Sequence, residues 1–452
     1  MNSFKEKYIG SKEFYKKTLV IALPLALQML LNNCMAIVDT MMVSSIGMVS
    51  AVGNAAQIIV LNDGIAWGIF AGISMFSSQF YGAKQVHNLK KAFGLNIILS
   101  LMTSITWITI TYLFGEELLY FYLPDHEVVQ YSIQYLQIAI LSTLTYAFTS
   151  SFMGILRSTH QIKVVLCVSV TGAILNVVLN ALFIYYFDLH VKGAALGTLV
   201  SQSIVCLIYL TYSIKTKQKF LGSFKELFFI EKEFYKPIIK KMLPLVINET
   251  LFGFGLTLFV KAYGYLGTTS MEAYYIANQI YNLFTFIISG YGSAISILIG
   301  TRLGEGKLAQ AKKESNYQLF LSLIIAVALS SIMLIFADNI LMLFSIKNPT
   351  VFNLAKGLIY ALALKIFFRV FNFTMFSTLR AGGDSKKLSI LDAGLMYTIG
   401  ITLAFILVLF VKVDNIIILV FAVQLEQIIR MILTYKTYKT YSWVNDLTVL
   451  IN

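Results

Sequence analysis

Four residues of the first apolar stretch are spaced to lie close to one stripe of a helix, and they form a predicted polar track: Gln28, Asn32, Met35 and Asp39. The stretch, residues 22–47, is long enough to cross a bilayer. An ionisable side chain at that depth is costly, which favours a functional role for Asp39. A carboxylate there can carry a proton, and one ringed by amide oxygens can bind Na+. The alternative is a helix-packing role, with a neighbouring hydroxyl satisfying the carboxylate.

Other polar residues of the first half can add to such a site. Asn176 and Asn180 are four residues apart and share a helix face. With Thr198 they can supply neutral oxygen ligands around one carboxylate, which hard cations favour. The alternative is interhelical hydrogen bonding, which we favour for Thr198. Asp63, in the mid-span sequence VLNDGIAWG, is either a second titratable group or a lining residue.

Several charged residues lie within apolar runs of the second half of the chain, and five of them are candidates for one network. Glu249 is a contact for a cationic substrate, a proton site, or the partner of a nearby base. Lys365 and Arg369 are four apart and share a face, and Asp392 and Glu426 are further candidate partners. Buried charges break even only when they are paired. We therefore expect an ion-pair network among several of these residues.

The sequence YYIANQIYNLFTF combines amides with aromatic rings in one predicted span. Asn278 and Asn282 are four residues apart, and Tyr275 is among the aromatic residues around them. Amides, aromatic rings and a carboxylate would suit a cavity for flat organic cations. The alternative is an aromatic stripe that faces lipid or the core, since the chain contains 34 Phe and 26 Tyr.

The composition indicates a polytopic membrane protein. The chain has 452 residues, of which 58% are hydrophobic and 13% charged, and its mean hydropathy is +0.76. The net charge of +13 fits the excess of basic residues in cytoplasmic loops, so we expect no nucleic-acid partner. The three cysteines show no spacing typical of a disulfide framework or a zinc site.

Apolar runs of about 20 residues predict twelve spans. We place them at 18–44, 50–80, 92–114, 128–152, 164–187, 193–214, 242–264, 271–301, 315–337, 351–378, 388–411 and 415–435. Most of the 35 Lys and Arg residues fall in the segments that are inside if the N-terminus is inside, so both termini are predicted to be cytoplasmic. The predicted organisation is a cytoplasmic N-terminal arm (1–17), an N-lobe of six spans (18–214), a cytoplasmic inter-lobe loop (215–241), a C-lobe of six spans (242–435) and a C-terminal tail (436–452).

The two halves repeat one another. KEFYKKTLVIALPL near the start of the chain matches KEFYKPIIKKMLPL, which places Pro24 opposite Pro244. Further along the chain, GILRSTHQIK matches STLRAGGDSK, which places Arg157 opposite Arg380. An even number of spans per repeat keeps the orientation. The predicted fold is therefore an all-α membrane protein of twelve transmembrane helices in two parallel, pseudo-symmetric six-helix lobes.

These segments together resemble the MATE (multidrug and toxic compound extrusion) transporters. The resemblance rests on VDTMMVSSIG after a proline-containing first helix, SSQFYGA ending the second, LNVVLNALFIY, VKGAALGT and LRAGGDSKK. It covers nearly the whole chain. It implies export of organic, often cationic or amphipathic, compounds in exchange for H+ or Na+. It also implies a central cleft between the lobes and alternating access.

The resemblance also assigns roles to residues. It implies that Asp39 is the cation or proton site, with a Na+ ion as one possible occupant, and that Asn176, Asn180 and Thr198 belong to the same region. An asparagine at position 180, where DinF-type relatives have an aspartate, makes the chain more similar to the NorM-type branch.

Two residues of the second half bear on the same branch. Glu249 stands where the NorM-type branch has a glutamate shortly after the proline of the seventh helix. Arg369 departs from the pattern, because that branch has an aspartate there. This departure argues against a second-lobe sodium site of that kind.

The sequence therefore predicts a secondary multidrug transporter, not an enzyme, with drug-like small molecules as substrates, lipids as surroundings and no cofactor beyond the coupling ion. We expect a monomer in the bacterial cytoplasmic membrane, with a role in antibiotic resistance. AGGDS (381–385) is a turn and not a phosphate-binding loop, because no strand precedes it. One alternative is a lipid-linked saccharide flippase of the same superfamily, which would need more arginines to hold a diphosphate. Another is an integral-membrane transferase, but the four histidines do not cluster in the sequence.

Overall fold

The computed structural model describes residues 6–122, 125–342, 344, 346 and 348–451. The predicted arm is thus described from residue 6 and the tail as far as residue 451. The described residues are mostly helical and contain no strand. The helices are α1 (Lys12–Ser44), α2 (Val49–Gly82), α3 (Val86–Tyr122), α4 (His126–Ala139), α5 (Ser142–Ser158), α6 (Ile162–Ala181), α7 (His190–Lys215), α8 (Phe224–Phe228), α9 (Lys232–Gly264), α10 (Thr268–Gly304), α11 (Leu308–Ile335), α12 (Ala337–Met342), α13 (Pro349–Ala381), α14 (Ser385–Ser389), α15 (Thr402–Leu409) and α16 (Ile416–Lys439).

The prediction of twelve spans is confirmed. In the described part of the chain, eleven helical segments are long and apolar enough to cross a membrane. The twelfth span is the pair α4 and α5, which is bent by 44° at the break between them. Two helices continue as π-helical turns: α6 extends through Leu182–Tyr186, and Ile390–Gly394 with Met396–Ile401 joins α14 to α15.

Aspartate and asparagine side chains cap the starts of three long helices. Asp125 accepts a hydrogen bond from the backbone N–H of Val128 at the start of α4. Asn348 and Asn415 cap α13 and α16 in the same way, at 2.9 and 2.8 Å. Each cap satisfies a backbone donor that has no partner within its own helix.

The chain forms two compact units that are not continuous in sequence. The amino unit contains Leu27–Val246 and the residues from Thr448 onward. The carboxyl unit contains the chain up to Ala26 together with Ile247–Leu447. The boundaries between the units fall inside α1 and α9. In the predicted organisation, by contrast, each of these two spans belongs entirely to one lobe. Each division comes shortly after a helix-interior proline, Pro24 or Pro244, where the intrahelical hydrogen-bond ladder is interrupted.

The core of the carboxyl unit is assembled around α13. Leu358, Ile359 and Ile366 of this helix are fully buried, and they belong to one apolar cluster with Ala277 of α10 and Leu419 of α16. Alanines at such contacts let helices approach closely. This close packing holds the polar side chains of α10, α13 and α16 in fixed positions.

The predicted inter-lobe loop, 215–241, contains ordered helical structure. It contains α8, whose first turn has a capping box between Ser223 and Glu226, and α9 begins at Lys232, well before the predicted position 242. Glu226 accepts a hydrogen bond from Lys90 at 2.9 Å, and this contact lowers the pKa of Glu226 to about 2. Lys91 contacts Glu231 at 2.5 Å. The two ion pairs therefore dock this segment on the start of α3.

Gly94 sets the distance between α3 and this segment. A Cβ atom at position 94 would lie 1.8 Å from the backbone oxygen of Leu227. We expect Gly94→Ala to lower the free energy of unfolding by about 1–3 kcal/mol, the usual cost of overpacking. We also expect faster proteolytic cleavage between residues 216 and 231, because the segment must shift.

Gly53→Ala is the matched control, because a Cβ atom there has no heavy atom within 4 Å. It should not lower the free energy of unfolding, because alanine favours the helix that contains position 53, and it should leave the cleavage rate unchanged. Equal cleavage rates for the two variants would show that the close contact at Gly94 does not hold the segment in place.

Candidate functional site

The four predicted cation-site residues lie together in the amino unit. Asn180 Nδ2 donates to the Asp39 carboxylate at 2.8 Å and contacts Asn176 Oδ1 at 3.3 Å. Asn176 Nδ2 in turn lies 3.4 Å from Thr198 Oγ1 and 3.5 Å from Ser201 Oγ. One hydrogen-bonded chain therefore links α1, α6 and α7. Ser201 was missed by the sequence analysis, although it follows Thr198 by three residues on the same helix.

The backbone of α7 makes room for this chain at Gly197. A Cβ atom there would lie 2.0 Å from Asn180 Oδ1. Among the described residues, this buried amide oxygen has no hydrogen-bond partner. Asp39 itself is only partly buried. A free amide oxygen beside an accessible carboxylate is chemically suited to a hard cation, and the carboxylate alone is suited to a proton.

The predicted polar track of α1 is divided between two clusters. Gln28 Oε1 accepts a hydrogen bond from Arg157 Nη2 at 2.6 Å, and its Nε2 donates to Ser169 at 2.7 Å. Asn32 is exposed. The four residues lie on the one helix α1, as predicted, but Gln28 contacts Arg157 and Ser169 and not Asp39. The physical reason is that the buried guanidinium of Arg157 needs an acceptor, and Gln28 supplies it.

The side chain of Asp63 on α2 is not covered by other residues, and its neighbour Asn62 is buried. Among the described residues, no hydrogen bond joins either of them to the chain that begins at Asp39, so the role of Asp63 stays a prediction. In the described part of the chain, no group of three or more His, Cys, Asp and Glu residues is arranged to hold a metal ion.

The carboxyl unit contains a cavity of about 330 Å³ between α9, α10, α13 and α16. Asn278 and Asn282 line it, as predicted from their spacing, together with Lys365 and Arg369. Tyr275 does not line the cavity and is 55% exposed. Tyr274 and Tyr281, one and six residues away, line it instead. The difference arises because successive residues of a helix point about 100° apart.

The ion pairs of this unit differ from the predicted network. Arg430 Nη1 lies 2.6 Å from Asp392 Oδ1, and its Nη2 lies 2.5 Å from Glu426 Oε1. Glu249 pairs with Arg380 at 3.2 Å. The acidic members of the network are therefore paired, but with bases other than Lys365 and Arg369. Arg430 was the missed partner, and its spacing of four residues from Glu426 on one helix was the available signal.

Lys365 and Arg369 contact aromatic rings instead of carboxylates. Lys365 Nζ lies 4.7 Å from the ring centre of Tyr281. The Arg369 guanidinium lies 5.1 Å from the ring of Phe252 and 5.7 Å from that of Phe373. Among the described residues, no carboxylate forms an ion pair with either base.

The helices, the repeated halves and the polar clusters at membrane depth define a polytopic membrane transporter fold. The MatE family model matches residues 24–182 and again residues 244–406, and the chain belongs to this family. The two matches begin at the prolines of α1 and α9, which agrees with the repeat seen in the sequence.

Characterised and uncharacterised relatives agree with this assignment. The chain is 25% identical over 399 residues to an uncharacterized transporter, YisQ, of Bacillus subtilis, and the match covers 85% of each chain. It is 26% identical to a probable multidrug resistance protein NorM of Pasteurella multocida, with 87% of this chain and 86% of that protein covered. It is 23% identical to human multidrug and toxin extrusion protein 1, with 86% of this chain and 68% of that protein covered.

Solved structures support the fold. A MATE transporter of Vibrio cholerae, VcmN, superposes with a TM-score of 0.88 at 15% identity, covering 96% of this chain and 98% of that one. An outward-facing MATE family transporter superposes with a TM-score of 0.85 at 18% identity, covering 94% and 96%.

The polar chain at Asp39 depends on the absence of a side chain at Gly197. We expect Gly197→Ala to displace the Asn180 amide and lower the unfolding free energy by about 1–3 kcal/mol. Thermal denaturation of the purified protein measures this. Gly53→Ala is again the control, since its Cβ meets open space. A Gly197→Ala protein as stable as the control would contradict the tight contact.

Arg430 holds two carboxylates, so its removal leaves both without their cation. We expect Arg430→Gln to cost about 3–5 kcal/mol of unfolding free energy, as when one partner of a buried ion pair is deleted. Lys356→Gln removes a cation of the more exposed pair with Asp338 and should cost less than about 1 kcal/mol. Similar losses in the two variants would show that the Arg430 cluster is not a structural centre.

Proposed function

We propose that this protein is a secondary transporter that exports organic, amphipathic compounds in exchange for H+ or Na+. Relatives named as multidrug resistance and multidrug extrusion proteins support export of drug-like molecules. The proposal includes a NorM-type, monomeric protein of the bacterial cytoplasmic membrane with both termini in the cytoplasm. It includes no enzymatic reaction and no cofactor besides the coupling ion.

The observation that carries the proposal is the hydrogen-bonded chain from Asp39 through Asn180 to Asn176. It connects Asp39, the carboxylate in the second half of α1, directly to α6 and through Asn176 to α7. Asn180 Nδ2 donates a hydrogen bond to the Asp39 carboxylate, and a bound cation would neutralise the negative charge of that carboxylate. The contacts of α1 with α6 and α7 then change with the occupancy of the site.

Such a site can couple two fluxes only if the ion binds two conformations with different affinity. We propose that H+ or Na+ enters Asp39 from outside and favours the inward-facing conformation. Export of the organic compound follows when that compound occupies the protein and the ion leaves to the cytoplasm. Na+ would use the Asn180 amide oxygen besides the carboxylate, whereas H+ would need the carboxylate alone.

Asp39→Asn tests this proposal. Inverted membrane vesicles receive a lumen-high H+ gradient or a lumen-high Na+ gradient, and the accumulation of rhodamine 6G and of carboxyfluorescein is followed separately. We expect the wild type to accumulate a dye with one of the two gradients, which identifies the ion. Asp39→Asn should reduce that accumulation at least about tenfold, because the variant has no group that can take up the ion's charge.

Asp414→Asn is the matched control, since it removes an exposed carboxylate outside the helices, and it should transport as the wild type does. If Asp39→Asn also transports normally, Asp39 has only a packing role, and Asp63→Asn and Glu249→Gln become the next variants. If the wild type moves neither dye with either gradient, the exporter proposal fails and a lipid-linked saccharide flippase is favoured.

A further inference from the structure

The cavity of the carboxyl unit contains two cations without an acidic partner in the part of the chain that the structure describes. Lys365 and Arg369 lie four residues apart on α13 and both line the cavity. Each lies over the face of an aromatic ring, Tyr281 for Lys365 and Phe252 for Arg369. An aromatic ring offsets only part of the cost of a cation at membrane depth.

The carboxylates near these cations are already occupied. Glu426 and Asp392 share Arg430, and Asp392 also accepts a hydrogen bond from Asn248 at 3.1 Å. Glu249 has its own partner in Arg380. Glu426 and Glu249 also attract Lys365 and Arg369 at longer range. None of the three carboxylates forms an ion pair with either cation, because each has its direct contact with another arginine.

The remaining lining groups suit a ligand of negative charge. The amides of Asn278 and Asn282 can donate hydrogen bonds into the cavity, and they stand four residues apart on α10. Phe252, Phe259 and Phe373 supply apolar aromatic walls. A planar guanidinium pairs readily with a carboxylate or a sulfonate, because its N–H groups form a rigid fork.

We infer that this cavity binds amphipathic aromatic organic anions, with Lys365 and Arg369 as the residues that recognise the negative charge. The cavity volume of about 330 Å³ suits a ligand with one aromatic ring or two fused rings. This volume is at the lower end of the range for sites that bind drug-sized molecules. The inference deepens the proposed function and rests on it for the direction of transport. The aromatic and amide residues of α10 alone would favour an organic cation. With Lys365 and Arg369 in the same cavity, the favoured ligand is an anion.

Equilibrium dialysis against the full-length protein in lipid nanodiscs tests this inference. The probes are 2-naphthalenesulfonate and 2-naphthylmethylammonium, which share one ring system and differ in charge. Empty nanodiscs correct for partition of each probe into lipid. We expect the wild type to bind the anion at least about tenfold more tightly than the cation, a factor within the range of charge-assisted hydrogen bonds.

The double variant Lys365→Gln, Arg369→Gln should weaken binding of the anion at least about tenfold and leave binding of the cation equal or tighter. Arg369→Lys keeps the charge and should retain the preference for the anion. Lys356→Gln removes one positive charge from the same helix outside the cavity and should bind both probes as the wild type does. Melting curves identify any variant that does not fold. If the double variant does not fold, the single variants Arg369→Lys and Lys365→Gln replace it.

Three outcomes would overturn the inference: a wild type that prefers the cation, a double variant that retains the anion, or displacement of the anion by farnesyl diphosphate but not by excess 2-naphthoate. The last outcome would mark a site for a lipid phosphate. Because dialysis uses no ion gradient, a failure of ion-coupled transport leaves these results unaffected. Conversely, normal ion-driven export of rhodamine 6G with no anion binding would refute the inference while the proposed function stands.

Discussion

The structure depends on one constraint, which is that a charge inside an apolar helix bundle must find its partner within the protein. Arg430 shows this most clearly, because it is 1% exposed and contacts two carboxylates on two different helices. Asp392 lies in a π-helical turn, and Glu426 is on the same helix as Arg430. The cluster therefore ties the irregular eleventh span to the twelfth, and the cavity wall that they form follows from this pairing.

The two repeats satisfy the same constraint with different chemistry. Arg157 and Arg380 are equivalent in the repeat, and each reaches a side chain of the proline-containing helix of its half: Gln28 for Arg157 and Glu249 for Arg380. A neutral amide meets the first arginine and a carboxylate meets the second. The shared geometry comes from the duplicated sequence, whereas the charge at each position is particular to each half. The pair of Arg157 and Gln28 in the first half therefore has a net positive charge, whereas the pair of Arg380 and Glu249 in the second half is neutral.

The sequence predicted most of the fold and the membership of the Asp39 cluster. Twelve apolar runs and one repeat sufficed for the helices, because both signals are local or periodic. The grouping of Asp39 with Asn176, Asn180 and Thr198 followed from helix spacing together with the family resemblance.

The sequence could not predict which helix face meets which neighbour. Lys365 and Arg369 share a face of α13, yet the carboxylates of α14–α16 turn to Arg430, and Gln28 turns to Arg157 instead of Asp39. These choices depend on packing between spans that are distant in sequence. The segment 215–241 was predicted as a cytoplasmic loop, and its sequence did not indicate the short helix α8 or the two ion pairs that its glutamates form with lysines of α3.

The divisions that follow Pro24 and Pro244 have a consequence for biogenesis. The chain up to Ala26 leaves the ribosome first but belongs to the unit whose other residues are synthesised last. The amino unit likewise lacks the first turns of α9 until translation has passed the connecting segment. Neither unit can reach its native packing while the nascent chain is half made. The first turns of α1 therefore lack their native neighbours until the second repeat has been synthesised.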